Sequence, residues 1–252
     1  MTSKWQQAQE RIQQILGLKT APVGVFLDKA AERGLEFSGW RLLKKHRYCQ
    51  ALMHARNGER VILEPDELSC PAAARAFGFR QLPEALESGK GLVGFGIADR
   101  PETGAAMFAQ MPHLSPVTVA RLALCPLAEA PRIPDVLVVE ARVEQLMWLL
   151  LAHLRAAHGA RRRGDTAVLQ ATCVDATVIP FIEDRLNFSY GCYGCREATD
   201  IGEDEAVLGF PGHKLEEILH NLEGLAEKAI PNSRAKKAFQ RLKEGGNDAR
   251  CA

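Results

Sequence analysis

The chain has no apolar run long enough to cross a membrane as a helix. Its longest strongly apolar stretch, residues 146–154, is interrupted by His153 and falls far short of the roughly 18 residues that a span requires. It also lacks an excess of charge. Lys and Arg number 32 against 31 Asp and Glu, for a formal charge of +1, so nothing global draws it to nucleic acid or to an anionic membrane. Lys4, Glu10 and Arg11 stand where a secretory signal would need a continuous apolar segment, which predicts a cytoplasmic protein. Common catalytic signatures are missing as well. No serine lies in G-x-S-x-G, so a hydrolase elbow is excluded. The histidines show no H-E-x-x-H, Gly94-Phe95-Gly96 lacks the third glycine of a dinucleotide fingerprint, and Gly89-Lys90-Gly91 lacks the rest of a P-loop.

What is present is a chain of 252 residues, 46% hydrophobic and 25% charged, which is ordinary for a globular protein. Residues 1–252 read as a single domain. Trp5, Ala8, Ile12, Ile15 and Leu16 recur at helical spacing, and helices are also expected over 48–56, 71–77, 103–111, 143–157 and 215–228. Short apolar runs predict strands over 21–28, 60–63, 91–97, 135–140, 166–173 and 205–210. Strands alternating with helices predict an α/β fold, with mixed α+β as the variant. The order of elements suggests two similar half-domains packed into one globular unit, over 18–115 and 132–230. In that comparison Val61-Ile62-Leu63 corresponds to Ala167-Val168-Leu169, Cys70 to Cys173, and Gly94-Phe95 to Gly209-Phe210. Internal duplication with a cysteine-rich loop inserted in the second copy is one reading. The identity is low enough for chance to produce the same pattern. Residues 231–252 read as a helix end and a mobile tail.

Seven cysteines (Cys49, Cys70, Cys125, Cys173, Cys192, Cys195 and Cys251) are an odd number and make a poor disulfide framework for a reducing compartment. Metal binding, redox chemistry and plain burial remain. Cys70 precedes Pro71 and an alanine run, so it is expected at a helix N-cap, where unpaired N–H groups favour a thiolate. Burial as a small hydrophobe is the commoner fate of a lone cysteine. Cys192-Tyr193-Gly194-Cys195 is a C-x-x-C flanked by Gly191, yet no second C-x-x-C completes a zinc site, and no clear strand feeds it as in a thioredoxin. Cys49 follows the basic residues Arg41, Lys44, Lys45 and Arg47. Such a run is usually a solvated face, but beside anionic thiolates it would offset their charge. Cys173 is expected at the end of an apolar strand, and Cys125 and Cys251 look incidental.

Tyr48-Cys49-Gln50, Leu68-Ser69-Cys70, Phe77-Gly78-Phe79, Ala171-Thr172-Cys173 and Gly191-Cys192-Tyr193-Gly194-Cys195-Arg196, with the later Asp204 to Pro211 and Leu215 to Ile218, resemble the prokaryotic domain of unknown function 169 family over nearly the whole chain. The resemblance implies that Cys49, Cys70, Cys173 and Cys192 are the recurrent cysteines, with Gly194 and Arg196, while the position of Cys195 varies. Ala72-Ala73 departs from the glycines often present in relatives. The family carries no settled activity.

Four cysteines suit either a four-iron, four-sulfide (4Fe-4S) cluster or a tetrahedral zinc. Ligands scattered over the chain favour a buried cofactor over a loop clip, hence iron–sulfur over zinc. The expectation is therefore a metal-binding, redox or Lewis-acid protein acting on a small substrate or with an electron-transfer partner. Cys195 would be a substitute ligand or redox thiol, and Arg196 a cofactor-side anion-binding group. Whether it is an enzyme stays open, an iron–sulfur-dependent oxidoreductase being the class in reach. The alternative is a non-catalytic accessory or binding protein stapled by zinc or iron–sulfur.

Overall fold

The computed structural model describes residues 3–29, 37–116 and 118–245. Trp5, Ala8, Ile12, Ile15 and Leu16 form the buried stripe of helix α1 (Lys4–Leu16), which ends at Gly17 in a left-handed conformation. The chain then runs through β1 (Val23–Asp28), β2 (Arg41–Leu42), α2 (Tyr48–Arg56), β3 (Val61–Leu63), α3 (Pro71–Ala76), α4 (Glu84–Glu87), α5 (Lys90–Gly94), α6 (Pro101–Ala109) and β4 (Arg121–Pro126). It continues through β5 (Val136–Arg142), α7 (Val143–Ala156), a π-helix at Ala171–Val178, α8 (Ile179–Glu183), β6 (Asn187–Ser189), α9 (Tyr193–Ala198), β7 (Glu205–Pro211), α10 (Leu215–Glu227), α11 (Ala229–Arg234) and α12 (Lys237–Lys243).

The strands form one seven-stranded sheet in the order β2-β3-β4-β1-β5-β7-β6. Only β2 and β3 run parallel; the other neighbours are antiparallel. This is a mixed α/β fold. Alternation along the central strands buries both faces: Val23, Val25 and Leu27 of β1 face one core, and Phe26 faces the other. The second core lies under α1, α7 and α10. The first lies under α2, α3 and the π-helix, and it holds the cysteine-bearing elements. None of the described helices is long and apolar enough to cross a membrane.

Two expected strands are corrected. Residues 91–97 begin as helix α5 and a turn, and 166–173 are a loop entering the π-helix. A short apolar run with glycines fits either structure, and tertiary packing decides. Strands β2, β4 and β6 were not expected. The equivalences between the halves fail with these changes, because Val61–Leu63 is a strand while residues 167–169 are not, and residues 91–94 are helical while residues 206–210 are extended. The structure does not separate two half-domains. Strands β1 to β4 occupy one side of the sheet and β5 to β7 the other, joined through β1 and β5. The expected tail beyond residue 245, including Cys251, lies outside the described residues.

The π-helix sits directly on β7. A Cβ at Gly209 would come within 1.8 Å of the Ala176 carbonyl oxygen, so only glycine allows this approach. Gly209→Ala should cost on the order of 3 kcal/mol or more in chemical denaturation, since backbone blocks the new methyl. Gly94→Ala, whose methyl meets nothing within 4 Å, should leave the midpoint unchanged or slightly raised. Equal midpoints for the two variants would refute this account of the contact.

Candidate metal centre

Two short backbone contacts set the first pair of cysteines. The chain before α2 pairs with the chain before α3: the His46 amide donates to the Glu67 carbonyl (3.1 Å) and the Ser69 amide to the His46 carbonyl (2.9 Å). Helices α2 and α3 therefore start side by side, with Cys49 in the first turn of α2 and Cys70 as N-cap of α3. The second pair is set by Asn187 of β6, which is fully buried. Its amide donates to the Asp165 and Asp175 carbonyls, both at 2.8 Å. This ties β6 to the π-helix, so that Cys192, N-cap of α9, returns to Cys173. A strand does feed the C-x-x-C, contrary to expectation. Cys173 lies in a π-helix rather than a strand end; π-turns are rare and often mark functional sites.

The five cysteines Cys49, Cys70, Cys173, Cys192 and Cys195 share one neighbourhood. Cys192 Sγ and Cys195 Sγ are 3.0 Å apart, Cys195 also bonds Cys49, and Thr172 Oγ1 lies 3.4 Å from Cys195 Sγ. Charge on Cys173 would be opposed by charge on Cys70, Cys192 and Cys195, and Cys70 and Cys192 oppose one another in the same way. Cys49, Cys173 and Cys195 are buried, whereas Cys70 and Cys192 reach the surface. Cys125 is apart from them, in the core on the other face of the sheet.

Backbone amides point at the two outer sulfurs. The Cys195 amide donates to Cys192 Sγ at 3.4 Å; those of Ala72 and Ala73 lie close enough to favour a charged Cys70, and that of Ala171 a charged Cys192, although Cys70 accepts no formed cap bond. The N-cap expected for Cys70 is present, but the thiolate preference it suggested is corrected: burial outweighs the amides and pushes this thiol up. The bond to Cys195, then burial, raises the Cys192 thiol. Cys195 goes up to about 12, because its bond to Cys49 and its burial together outweigh the lowering bond to Cys192. Burial raises the Cys173 thiol well above its ordinary value. The basic run is mostly solvated, as its bland reading expects. Arg47 is the exception: it bonds the Gly194 carbonyl (3.1 Å) and Glu197 across the site, and interacts with Cys49 and Cys70. Among the described residues, no group of three or more His, Cys, Asp or Glu side chains is arranged to hold a single metal ion.

A model of the domain of unknown function 169 (DUF169) family, described as uncharacterised ArCR, matches residues 11–221. The chain belongs to this family. It is similar to an uncharacterized protein of Methanocaldococcus jannaschii, MJ0308, at 29% identity over 218 residues, which is 85% of this chain and 91% of the relative. No solved structure matches.

In this DUF169 protein Arg196 does not face the sulfurs as an anion-binding group. Its guanidinium donates to the carbonyls of Tyr190 (2.6 Å), Gly202 (3.0 Å) and Glu205 (2.9 Å) and lies across Gly191, where a Cβ would meet Nε at 3.3 Å at a φ of +92°. Arg196 thus braces the loop that presents Cys192. Residues missed in the sequence lie at the far end of α2. Arg56, 4% exposed, bonds Asp200 (2.6 Å) and Glu205 (3.1 Å) and lies 3.4 Å from Glu140. Neither carboxylate oxygen of Glu140 has a hydrogen-bond partner. The signal was a lone acid two positions beyond Val138 in an apolar strand, which places it on the same inward face.

Burial pushes the Glu140 carboxyl up to about 7, and the attraction of Arg56 opposes this without prevailing. The fold then keeps a proton that the unfolded chain has lost. Stability is full below about pH 4.5, the ordinary carboxyl value, and falls as pH rises to about 7. The decline should be on the order of 3 kcal/mol. Glu140→Gln should flatten it in urea titrations at several pH values; an unaltered slope in the variant would contradict the assignment.

Proposed function

We propose that this protein holds a four-iron, four-sulfide cluster on Cys49, Cys70, Cys173 and Cys192 and uses it in electron transfer or as a Lewis acid toward a small substrate. The supporting observation is the gathering of these sulfurs from α2, α3, the π-helix and α9 on one face of the sheet. The donor set fits such a group. It is all sulfur, sunk in an apolar core, with amide donors on two of its members and a guanidinium beside it. When bound, the cluster supplies one-electron chemistry or an acidic iron.

The chain's own groups would then act around it. The amides of Ala72, Ala73 and Ala171 stabilise negative charge on the outer sulfurs, as hydrogen bonds to thiolates do. Arg47, held by Glu197, offsets part of the net negative charge. Tyr48, fully buried and bonded to Thr177 Oγ1 at 2.8 Å, closes the inner side against water. The partial exposure of Cys70 and Cys192 leaves the outer side open to a partner or substrate.

The arrangement favours a cluster over zinc. Tetrahedral zinc at about 2.3 Å from each sulfur holds its thiolates about 3.8 Å apart around one point. In a four-iron cluster each thiolate binds its own iron, so the sulfurs stand further apart. Ligands drawn from four separate elements, two early and two late in the chain, suit the second case.

Anaerobic purification with iron, sulfide and zinc analysis and a visible spectrum tests the proposal. The wild-type protein should carry about four irons and four sulfides per chain after reconstitution. Cys70→Ser and Cys173→Ser should lose most of them, while Cys125→Ala and Cys195→Ser should keep them. A colourless, iron-free protein after reconstitution would end the proposal, and stoichiometric zinc would replace it with the stapled, non-catalytic reading.

A further inference from the structure

A cleft of about 420 Å³ opens between α6 and the loop that leads into the π-helix, within the size range of small-molecule sites. Three carboxylates, those of Asp165, Asp175 and Glu183, line it, with no lysine, arginine or histidine among the lining residues, and Met107 and Ile179 contribute apolar wall. Arg185 bonds Asp165 and Glu183 but does not itself line the cleft. Asp175 is 3% exposed; its carboxylate accepts from the Thr166 hydroxyl at 2.6 Å and has no ion-pair partner among the described residues. Among the described residues, the one guanidinium of Arg185 thus stands against three carboxylates at this cleft.

A second observation points to a ligand. Gln170 lines the same cleft and is 91% buried, being 9% exposed. Yet among the described residues its side-chain amide has no hydrogen-bond partner. It is also absent from the polar groups sealed away from solvent, so its free capacity is turned to the cleft. The amide atoms are thus reached from the cleft and offer donors and an acceptor to a molecule held there.

We propose that this cleft binds a small organic cation, an amine or guanidinium on a short apolar stem. The charged end would lie at Asp175 and Gln170, and the stem on Met107 and Ile179. The proposal deepens the iron–sulfur reading and rests on it for one point only, that the cation is the substrate. The Gln170 carbonyl accepts from the Cys173 thiol (3.5 Å) and the Val174 amide (2.8 Å). A molecule held by the Gln170 side chain is thus one residue's backbone from a proposed cluster ligand.

Titration calorimetry of the full chain with agmatine, cadaverine, glutarate and 1,5-pentanediol tests it, on protein both as reconstituted and after iron removal. At least one of the two cations should bind saturably at one site per chain, at least tenfold more tightly than the diacid or the diol. Asp175→Asn should weaken that binding at least tenfold. Should that variant fail to fold, Gln170→Leu, which leaves the carboxylates in place, should weaken it several-fold. Binding of neither cation, equal binding of glutarate or the diol, or unchanged binding in a folded variant would overturn the proposal. Cation binding by a chain that never takes up iron would keep the cleft and reject the cluster; iron uptake without cation binding would do the reverse.

Discussion

Desolvation of sulfur is the constraint on which the rest of this structure turns. Five ionisable side chains are gathered on the apolar face of a sheet, where each can be charged only at a cost that grows with every charged neighbour. The fold tolerates them because a thiol, unlike a carboxyl, is mostly neutral at ordinary pH even before burial. Burial raises Cys70 and Cys173, and for Cys192 and Cys195 it adds to the bonds among the sulfurs. The same surroundings would hold anionic sulfur only if something positive entered, so the local electrostatics resemble a site prepared for a charge it does not itself supply.

That preparation depends on where the elements begin. Cys70 and Cys192 are N-caps, Cys49 lies in a first turn, and each helix start is fixed by hydrogen bonds other than the helix's own ladder. The pairing of residues 46 and 68 fixes two of them, and Asn187 together with the Arg196 brace fixes the third. Gly209 completes the arrangement from beneath by letting the π-helix, with Cys173, rest on β7. Local propensity thus contributes little to the position of any one sulfur; tertiary hydrogen bonds and one missing side chain contribute most.

This explains what could be read in the chain beforehand. Helices such as α1, α2, α7 and α10 bury one stripe, and their 3.6-residue period is visible in the residues alone. β1, β5 and β7 are buried on both faces, and their unbroken apolar runs were equally plain. The π-helix was not legible. Ala171-Thr172-Cys173-Val174 has the β-branched content of a strand, and only the backbone approach at Gly209 and the Asn187 bonds hold it as a helix. Glycines did not separate a strand at residues 91–97 from helix α5 either, because the packing of Leu92 into the core is satisfied by one inward residue of either form. The cysteine grouping came from family resemblance, not from spacing, since the two pairs are brought to each other by contacts such as Arg47 to Gly194 and Tyr48 to Thr177, which join residues more than 100 positions apart.

Cys195 shows why counting cysteines could not assign their roles. It is 2% exposed and touches Cys49, Cys192 and Thr172, so it is the most enclosed of the five. A thiol in that position fills space between two others and donates or accepts a weak hydrogen bond, which is work a serine of similar size also does. Cys70 differs: it is the sulfur at the start of α3, two backbone amides lie near enough to favour its charged form, and it sits at the open edge. Four of the sulfurs are thus set by separate elements, while the fifth, Cys195, is crowded between Cys49 and Cys192.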